Sequence, residues 1–183
     1  MDCEVVRYQT AGDDQSKIAD EIREEWKEAD LILTTGGVSV GEKDLLPGVI
    51  ENLTGNVLFH GIQVKPGMPT MLSVVKGTPV LSLSGNPFAV EALFEVLAGG
   101  YLTDMEAGRY LQKNQMKALK QTFVKTGKMK RIVKGRCDKS GVYLPQIQKN
   151  GQLKNGIGSN CLVIFPEGER TYTEGEAVRV IRI

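Results

Sequence analysis

The 183-residue sequence has few of the residues that usually carry redox or metal chemistry, with three cysteines and one histidine. Cys3, Cys137 and Cys161 are an odd number at long spacings, which fits neither a disulfide framework nor a zinc site. Because His60 is the only histidine, the sequence argues against a histidine-based metal cluster and against a Ser-His triad. Any bound metal is therefore expected to be a hard cation held by oxygen atoms.

The sequence also lacks long apolar runs. The longest spans residues 161–165, far short of the roughly 18 residues that suggest a bilayer span. The first residues have neither the basic start nor the apolar stretch of a signal peptide. We therefore expect a cytoplasmic protein with no membrane partner.

The overall composition is that of an ordinary globular protein, and the length suggests one large domain or two small ones. The net charge of +1 conceals an uneven distribution. Residues 1–117 contain 10 basic and 17 acidic residues, whereas residues 118–183 contain 13 and 5. This asymmetry predicts two modules with different surfaces.

The first module alternates between strand and helix patterns. Its predicted elements are strands at 4–8 and 31–35, helices at 13–29, 45–53 and 87–98, an extended stretch at 56–64, a turn at 65–69, and a hairpin of 70–75 with 79–83. The strand at 31–35 has the unalternating apolar pattern of a parallel strand covered on both faces. Trp26 is a predicted core anchor. The pattern predicts an α/β domain with a parallel core over residues 1–110.

The second module, residues 111–183, has no segment with helical periodicity. Its predicted strands are 118–126, 130–137, 142–146, 161–165 and 177–183, separated by turn sequences rich in glycine. A small all-β barrel or sandwich is the natural interpretation.

Two strand-to-helix junctions of the first module carry the functional signal. Residues 34–44 and 82–87 both follow predicted strands, and ligands of open α/β sheets bind at the carboxyl ends of strands. Glycines allow close approach of the backbone, and helix N-terminal N–H groups favour a phosphate or another oxyanion. Lys43 and Lys65 can add positive charge, and Asp44 can hold a magnesium ion that bridges phosphates. The junctions predict an anionic ligand.

Each of these residues also has a purely structural interpretation. The glycines can serve turns with positive φ, Asp44 can be a helix N-cap, and Lys65 can be a solvated turn residue. Ser39 can be a loop-stabilising hydroxyl, residues 84–87 can simply start a helix, and His60 can be an ordinary strand residue. Two nucleotide-binding motifs are absent: Glu42 and Lys43 replace the Lys and Ser/Thr of a P-loop, and no Gly-x-Gly-x-x-Gly occurs.

Three ordered motifs nevertheless carry a specific resemblance. They are Thr-Gly-Gly-Val-Ser-Val-Gly-Glu-Lys-Asp at 35–44, Val-Lys-Pro-Gly-Met-Pro at 64–69, and Ser-Gly-Asn-Pro at 84–87. With Leu-Val-Ile-Phe-Pro-Glu-Gly at 162–168, they resemble the molybdopterin molybdenumtransferase family, which includes the gephyrin E domain. The resemblance covers nearly the whole chain. It implies a mostly parallel, three-layer molybdopterin-binding domain, incomplete at its N-terminus, followed by a C-terminal β-barrel.

The resemblance implies insertion of molybdate into adenylylated molybdopterin, with magnesium-dependent release of AMP. It also implies a homodimer for the full-length family and a catalytic, metal-binding role for Asp44. The residues it assigns to substrate binding are Thr35, Gly36, Gly37, Ser39, Val40, Gly41, Lys43, Lys65, Pro66, Gly67, Ser84, Gly85, Asn86 and Pro87.

Two departures from the family pattern leave a second function open, that of a truncated, non-catalytic pterin-binding or scaffold module. Ser84 stands where the family usually has a proline, and the sequence begins after the position of the family's first strand and helix. We expect strands left unpaired by this difference to be a stability liability unless another polypeptide supplies a strand.

The basic second module also permits a nucleic-acid-binding interpretation. Seven basic residues are clustered there: Lys120, Lys125, Lys128, Lys130, Arg131, Lys134 and Arg136. Aromatic residues that could stack on bases are few in this module, so we expect no nucleic-acid partner.

Overall fold

The structure is a computed structural model that describes residues 3–39, 44–99, 102, 114–145 and 158–183. The chain divides into two compact units. Met1–Ile62 with Gly67–Val90 form the first unit, and Gln63–Pro66 with Glu91–Ile183 form the second. The predicted domain boundary at residues 110 and 111 falls outside the described residues and stays a prediction.

Elements of the first half of the chain are numbered in chain order. They are α1 Gln15–Glu25, β1 Ile32–Thr35, α2 Leu46–Asn52, β2 Asn56–His60, β3 Val64–Lys65, β4 Met71–Val75, β5 Thr78–Leu83 and α3 Pro87–Leu93, followed by a π-helical segment Phe94–Ala98. From residue 15 onward, the strands and helices of this half follow the predicted order, except that β3 was not predicted as a separate strand. No helix among the described residues is long and apolar enough to cross a membrane.

The sheet of the first unit has the strand order β1-β5-β4-β2. Only the β1–β5 pair is parallel, whereas β4 pairs antiparallel with β5 and with β2. The α/β class is confirmed, but the described sheet is mixed rather than mostly parallel. The antiparallel β4–β5 pair follows from the two-residue turn at Lys76 and Gly77, where both residues have positive φ, as in the turn that best joins antiparallel strands.

The predicted strand at residues 4–8 is wrong. This segment forms no strand, and Val5 and Tyr8 are 80% and 86% exposed. Arg7 joins it to α1 through ion pairs with Glu21, Glu24 and Glu25. The predicted cover on both faces of β1 is also incorrect, because Leu33 is 41% exposed.

The first core lies between α1, α2 and one face of the sheet. Asp14 caps α1 by accepting hydrogen bonds from the N–H groups of Ser16 and Lys17. Half-buried Trp26 packs against this core, and its carbonyl accepts a hydrogen bond of 2.7 Å from Thr78 Oγ1. The buried members are Ala19, Ile22, Val38, Leu46, Val49, Ile50, Leu53, Met71, Val75 and Val80.

The second unit is rich in strands, as predicted. Its further strands are β6 Asn114–Ala118, β7 Phe123–Lys125, β8 Lys130–Cys137, β9 Val142–Tyr143, β10 Cys161–Phe165, β11 Arg170–Tyr172 and β12 Ala177–Arg182. The main sheet has the order β3-β8-β10-β12-β6, β9 pairs with β8, and β7 pairs with β11. Phe165 lies at the centre of the core, with its ring centroid 4.5 Å from that of Phe123 and 4.8 Å from that of Tyr172.

The predicted bounds of β8 and β10 are confirmed. The predicted strand at 118–126 is instead divided between β6 and β7, and the predicted strand at 142–146 is reduced to β9. Strand β11 was not predicted, because three residues between turns have too little pattern to identify. Closure of these strands into a barrel stays a prediction.

Candidate functional site

The two predicted junctions lie side by side in the first unit. Because β1 and β5 are parallel and Thr35 is in register with Leu83, both strands end at the same edge of the sheet. The Gly36 N–H donates a 2.9 Å hydrogen bond to the carbonyl of Leu83. A side chain at Gly85 would place its Cβ 3.5 Å from the Gly36 Cα. The backbones of the two loops are therefore in contact.

The glycine turn after β1 combines local conformation with tertiary hydrogen bonds. Gly36 and Gly37 have φ values of +85° and +64°, so the interpretation of a turn with positive φ is correct for both. The Gly37 carbonyl accepts a 3.1 Å hydrogen bond from the Leu46 N–H at the start of α2. The next residue, Val38, is buried in the core. The turn is thus held by hydrogen bonds to β5 and to α2. The candidate residues Val40, Gly41 and Lys43 belong to the segment 40–43, which lies outside the described residues.

His60 supports this loop, a role that sequence reasoning missed. It is the last residue of β2, and its Nε2–H donates a hydrogen bond of 2.8 Å to the Val38 carbonyl. The expectation of a strand residue is correct, but the ring also holds the loop backbone, although β2 and β1 lie at opposite edges of the sheet. In the sequence, His60 is distinguished only as the single histidine, and no local pattern indicates this contact.

Asp44 is half-buried and lies directly before α2. The N-cap residue of α2 is Leu45, which makes no side-chain capping bond, so the N-cap interpretation of Asp44 is wrong. Pro47 occupies the first turn of the helix, where its missing N–H does no harm. Asp44 therefore occupies the end of the glycine loop itself. Its ligand role stays a prediction.

Residues 84–87 start a helix as expected. The Asn86 Oδ1 atom accepts a hydrogen bond of 3.1 Å from the Ala89 N–H, and Pro87 is the first residue of α3. Gly85 and Pro87 are exposed, and Ser84 is half-buried. Exposed positions are also found on the facing loop at Thr35 and Ser39. The structural interpretation of this segment is confirmed, and it leaves the exposed backbone open to a ligand.

The third motif is divided between the two units. Lys65 is a residue of β3, in register with Arg131 of β8, rather than the turn residue that was predicted. Lys65 is exposed, and the Lys65–Pro66 peptide bond is cis. Gly67 belongs to the first unit, where its carbonyl accepts a 2.7 Å hydrogen bond from Thr70 Oγ1.

The chemistry of the donor set limits how a magnesium ion can bind. Within the described ranges, no three histidine, cysteine, aspartate or glutamate side chains are close enough to hold a metal ion. Mg²⁺ commonly uses one or two protein carboxylates and completes its coordination with waters and substrate phosphates. Asp44 fits that pattern, as a single carboxylate that would share the ion with a phosphorylated ligand.

The buried cysteines offer no nucleophile. Cys137 and Cys161 are buried in the core of the second unit, and Cys3 is exposed. Burial raises the pKa of Cys161 to about 12, so it remains a thiol at neutral pH. Neither buried thiol is therefore accessible as a nucleophile.

Comparison with known proteins identifies the family. A family model described as "Probable molybdopterin binding domain" matches residues 1–104. The molybdopterin molybdenumtransferase of Staphylococcus aureus (strain COL) is 30% identical over 97% of this chain, which spans 44% of that relative. The Staphylococcus epidermidis enzyme of the same name is 28% identical over the same shares. The chain thus spans less than half the length of these curated relatives.

A solved structure agrees with the sequence comparison. The molybdopterin biosynthesis MoeA protein from Pyrococcus horikosii has a TM-score of 0.75 and 28% identity, and the similarity covers 93% of this chain and 41% of that protein. The predicted resemblance is confirmed. Since the family model covers more than half of the chain, the chain belongs to the molybdopterin-binding domain family and matches the C-terminal part of its MoeA-like molybdenumtransferases.

Proposed function

We propose that this chain binds the phosphorylated pterin of molybdenum cofactor biosynthesis at the edge where β1 and β5 end. The observation that carries the proposal is the contact between the two loops: a Cβ atom placed on Gly85 would lie 3.5 Å from the Cα atom of Gly36. In this proposal, the two adjacent loops present backbone N–H groups to one ligand, and such groups favour phosphate oxygens.

The proposed reaction is the insertion of molybdate into adenylylated molybdopterin with release of AMP. A phosphoanhydride is cleaved when its developing charge is neutralised and an attacking water is positioned, which requires no protein nucleophile. In this proposal, Asp44 would hold a magnesium ion and Lys43 would add positive charge. The role predicted for Lys65, which belongs to the second unit, stays a prediction. When bound, the ion supplies charge neutralisation at the phosphate oxygens.

A non-catalytic pterin-binding module is the second candidate. It is favoured by Ser84, which stands in place of the family's usual proline. Molybdate-dependent release of AMP by the isolated chain would exclude this candidate. Binding of pterin without any release of AMP would support it.

Binding is tested by titration calorimetry with molybdopterin, and separately with AMP and magnesium. We expect saturable binding by the unaltered chain. Asp44→Asn is expected to weaken binding at least about tenfold, because charge-assisted contacts to an ion are among the stronger polar interactions. Chelating the magnesium should weaken binding of the unaltered chain to the same level.

Asp13→Asn is the matched control, because Asp13 is an exposed carboxylate outside both loops. It should bind like the unaltered chain. A folded chain that binds none of these compounds would overturn the proposed function. Equal binding by Asp44→Asn and the unaltered chain would overturn only the role of Asp44.

A further inference from the structure

Two buried hydroxyl groups beneath the glycine loops lack hydrogen-bond partners. Thr34 Oγ1 and Ser82 Oγ are both closed off from solvent, and neither has a partner among the described residues. The third such atom, Glu21 Oε2, lies 3.0 Å from Arg7 Nη2, so its charge is compensated. Buried polar groups in native proteins nearly always have a partner, so this hydroxyl pair requires an explanation.

The two hydroxyl groups are neighbours. Thr34 on β1 is in register with Ser82 on β5, and side chains in register on adjacent parallel strands extend from the same face of the sheet. The alternation of side chains along each strand places them on the face of Ile32 and Val80, which contact the core under α1 and α2. On its other side, Ser82 is in register with fully buried Met71, whose thioether is only a weak acceptor.

The pair is also the last inward-facing layer before both loops. Thr34 is two residues before Gly36, and Ser82 is two residues before Ser84. Gly37 and Val38 lie over the same face, since Gly37 bonds to Leu46 of α2 and Val38 belongs to the same core. No heavy atom approaches within 4 Å of the position that a Cβ would take at Gly36. The hydroxyl pair therefore lies one layer beneath the point where both loops begin.

We propose that Thr34 and Ser82 form a polar floor of the ligand site, in which both hydroxyl groups bond to one water molecule that the ligand contacts. A shared water fits because the two oxygen atoms are closed to bulk solvent, and a buried water typically makes about three hydrogen bonds. Two come from the hydroxyl groups and the third from a polar atom of the ligand. The inference rests on the proposed function and assigns two further binding residues to that site.

The variants Ser82→Ala and Thr34→Val test the proposal, with Ser73→Ala as the matched control. Ser73 is fully buried in the same sheet on β4, but its hydroxyl donates to the Val80 carbonyl at 3.4 Å, away from the loops. Without ligand, we expect Ser82→Ala to unfold at the same temperature as the unaltered chain or higher, because the Ser82 hydroxyl makes no hydrogen bond to another group of the described protein. Ser73→Ala should unfold at a lower temperature, since it loses a bond that is made.

In titrations with molybdopterin, the affinity should fall in the Ser82 and Thr34 variants and not in the Ser73 variant, the reverse of the order expected for stability. Ser82→Ala and Thr34→Val are each expected to bind about three- to tenfold more weakly, and Ser73→Ala as tightly as the unaltered chain. Because both hydroxyl groups bond to the same water in this proposal, the double variant should lose little more affinity than either single variant.

The proposal is overturned if Ser82→Ala and Thr34→Val bind molybdopterin as tightly as the unaltered chain. It is also overturned if Ser82→Ala lowers the unfolding temperature as much as Ser73→Ala without any change in affinity, since the hydroxyl would then be purely structural. An unaltered chain that is folded but binds no molybdopterin overturns the proposed function as well, so the two failures are distinguishable.

Discussion

At the scale of single residues, the two loops use glycine for different physical reasons. Gly36 has a φ of +85°, a conformation that side chains with a Cβ rarely adopt, although there is open space around it. Gly85 has an ordinary φ, but the backbone of the facing loop lies close to it. Backbone conformation therefore constrains Gly36, whereas a Cβ at Gly85 would only come into ordinary van der Waals contact with the facing loop.

Alanine substitutions should separate these two causes. We expect Gly36→Ala to lower the free energy of unfolding by about 1–2 kcal/mol, the usual cost of forcing an L-residue into this region. Gly85→Ala serves as its control. A Cβ there meets Gly36 Cα at 3.5 Å, an ordinary contact, so its stability should change by less than half as much. Urea denaturation measures both values, and equal losses would contradict the distinction.

The single histidine marks a limit of sequence reasoning at this scale. Its place in an extended segment was predicted, but the predicted stretch, 56–64, runs past His60, where β2 ends. Its hydrogen bond to Val38, 22 residues earlier in the chain, depends on the register of β2 in the sheet. Contacts of this kind follow from tertiary structure and have no local pattern.

At the scale of elements, the successful predictions have strong local signals. The helix start at residues 84–87 and the hairpin turn at Lys76 and Gly77 are encoded within a few residues. The incorrect predictions are those that depend on which other segment packs against or pairs with a strand. Residues 4–8 have a strand-like sequence, but a strand forms only where another strand pairs with it. The exposure of Leu33 likewise depends on what covers that face of the sheet, which the sequence of β1 alone does not determine.

The cap of α1 gives a quantitative test at this scale. Asp14→Ala should lower the free energy of unfolding by about 1 kcal/mol, because the N–H groups of Ser16 and Lys17 lose their acceptor. Asp13→Ala changes the same charge at the adjacent exposed position and should cost much less. Thermal unfolding of both variants provides the comparison. If the two losses are equal, the effect is one of charge near the helix end rather than of capping.

At the scale of the whole molecule, the charge asymmetry acquires a structural meaning. The basic residues of the second unit do not all contribute to one exposed surface. Lys125 is buried, and its ammonium group donates to the carbonyls of Gly127 and Gly168. Lys130 and Lys134 form ion pairs with Glu167 and Glu91. Several positive charges that are clustered in the sequence are thus buried or paired with carboxylates in the structure.

This distribution predicts that the chain does not bind nucleic acid at physiological salt. Non-specific binding depends on cations that are free to neutralise phosphates, and here several are buried or paired. Fluorescence anisotropy with a labelled single-stranded RNA should show no saturation up to about 100 µM protein at about 150 mM salt. Binding that appears only at low salt would reflect the net basic charge of the second unit alone. Micromolar binding that persists at physiological salt would contradict the prediction and restore the nucleic-acid interpretation, because the exposed lysines would then suffice to neutralise a phosphate backbone.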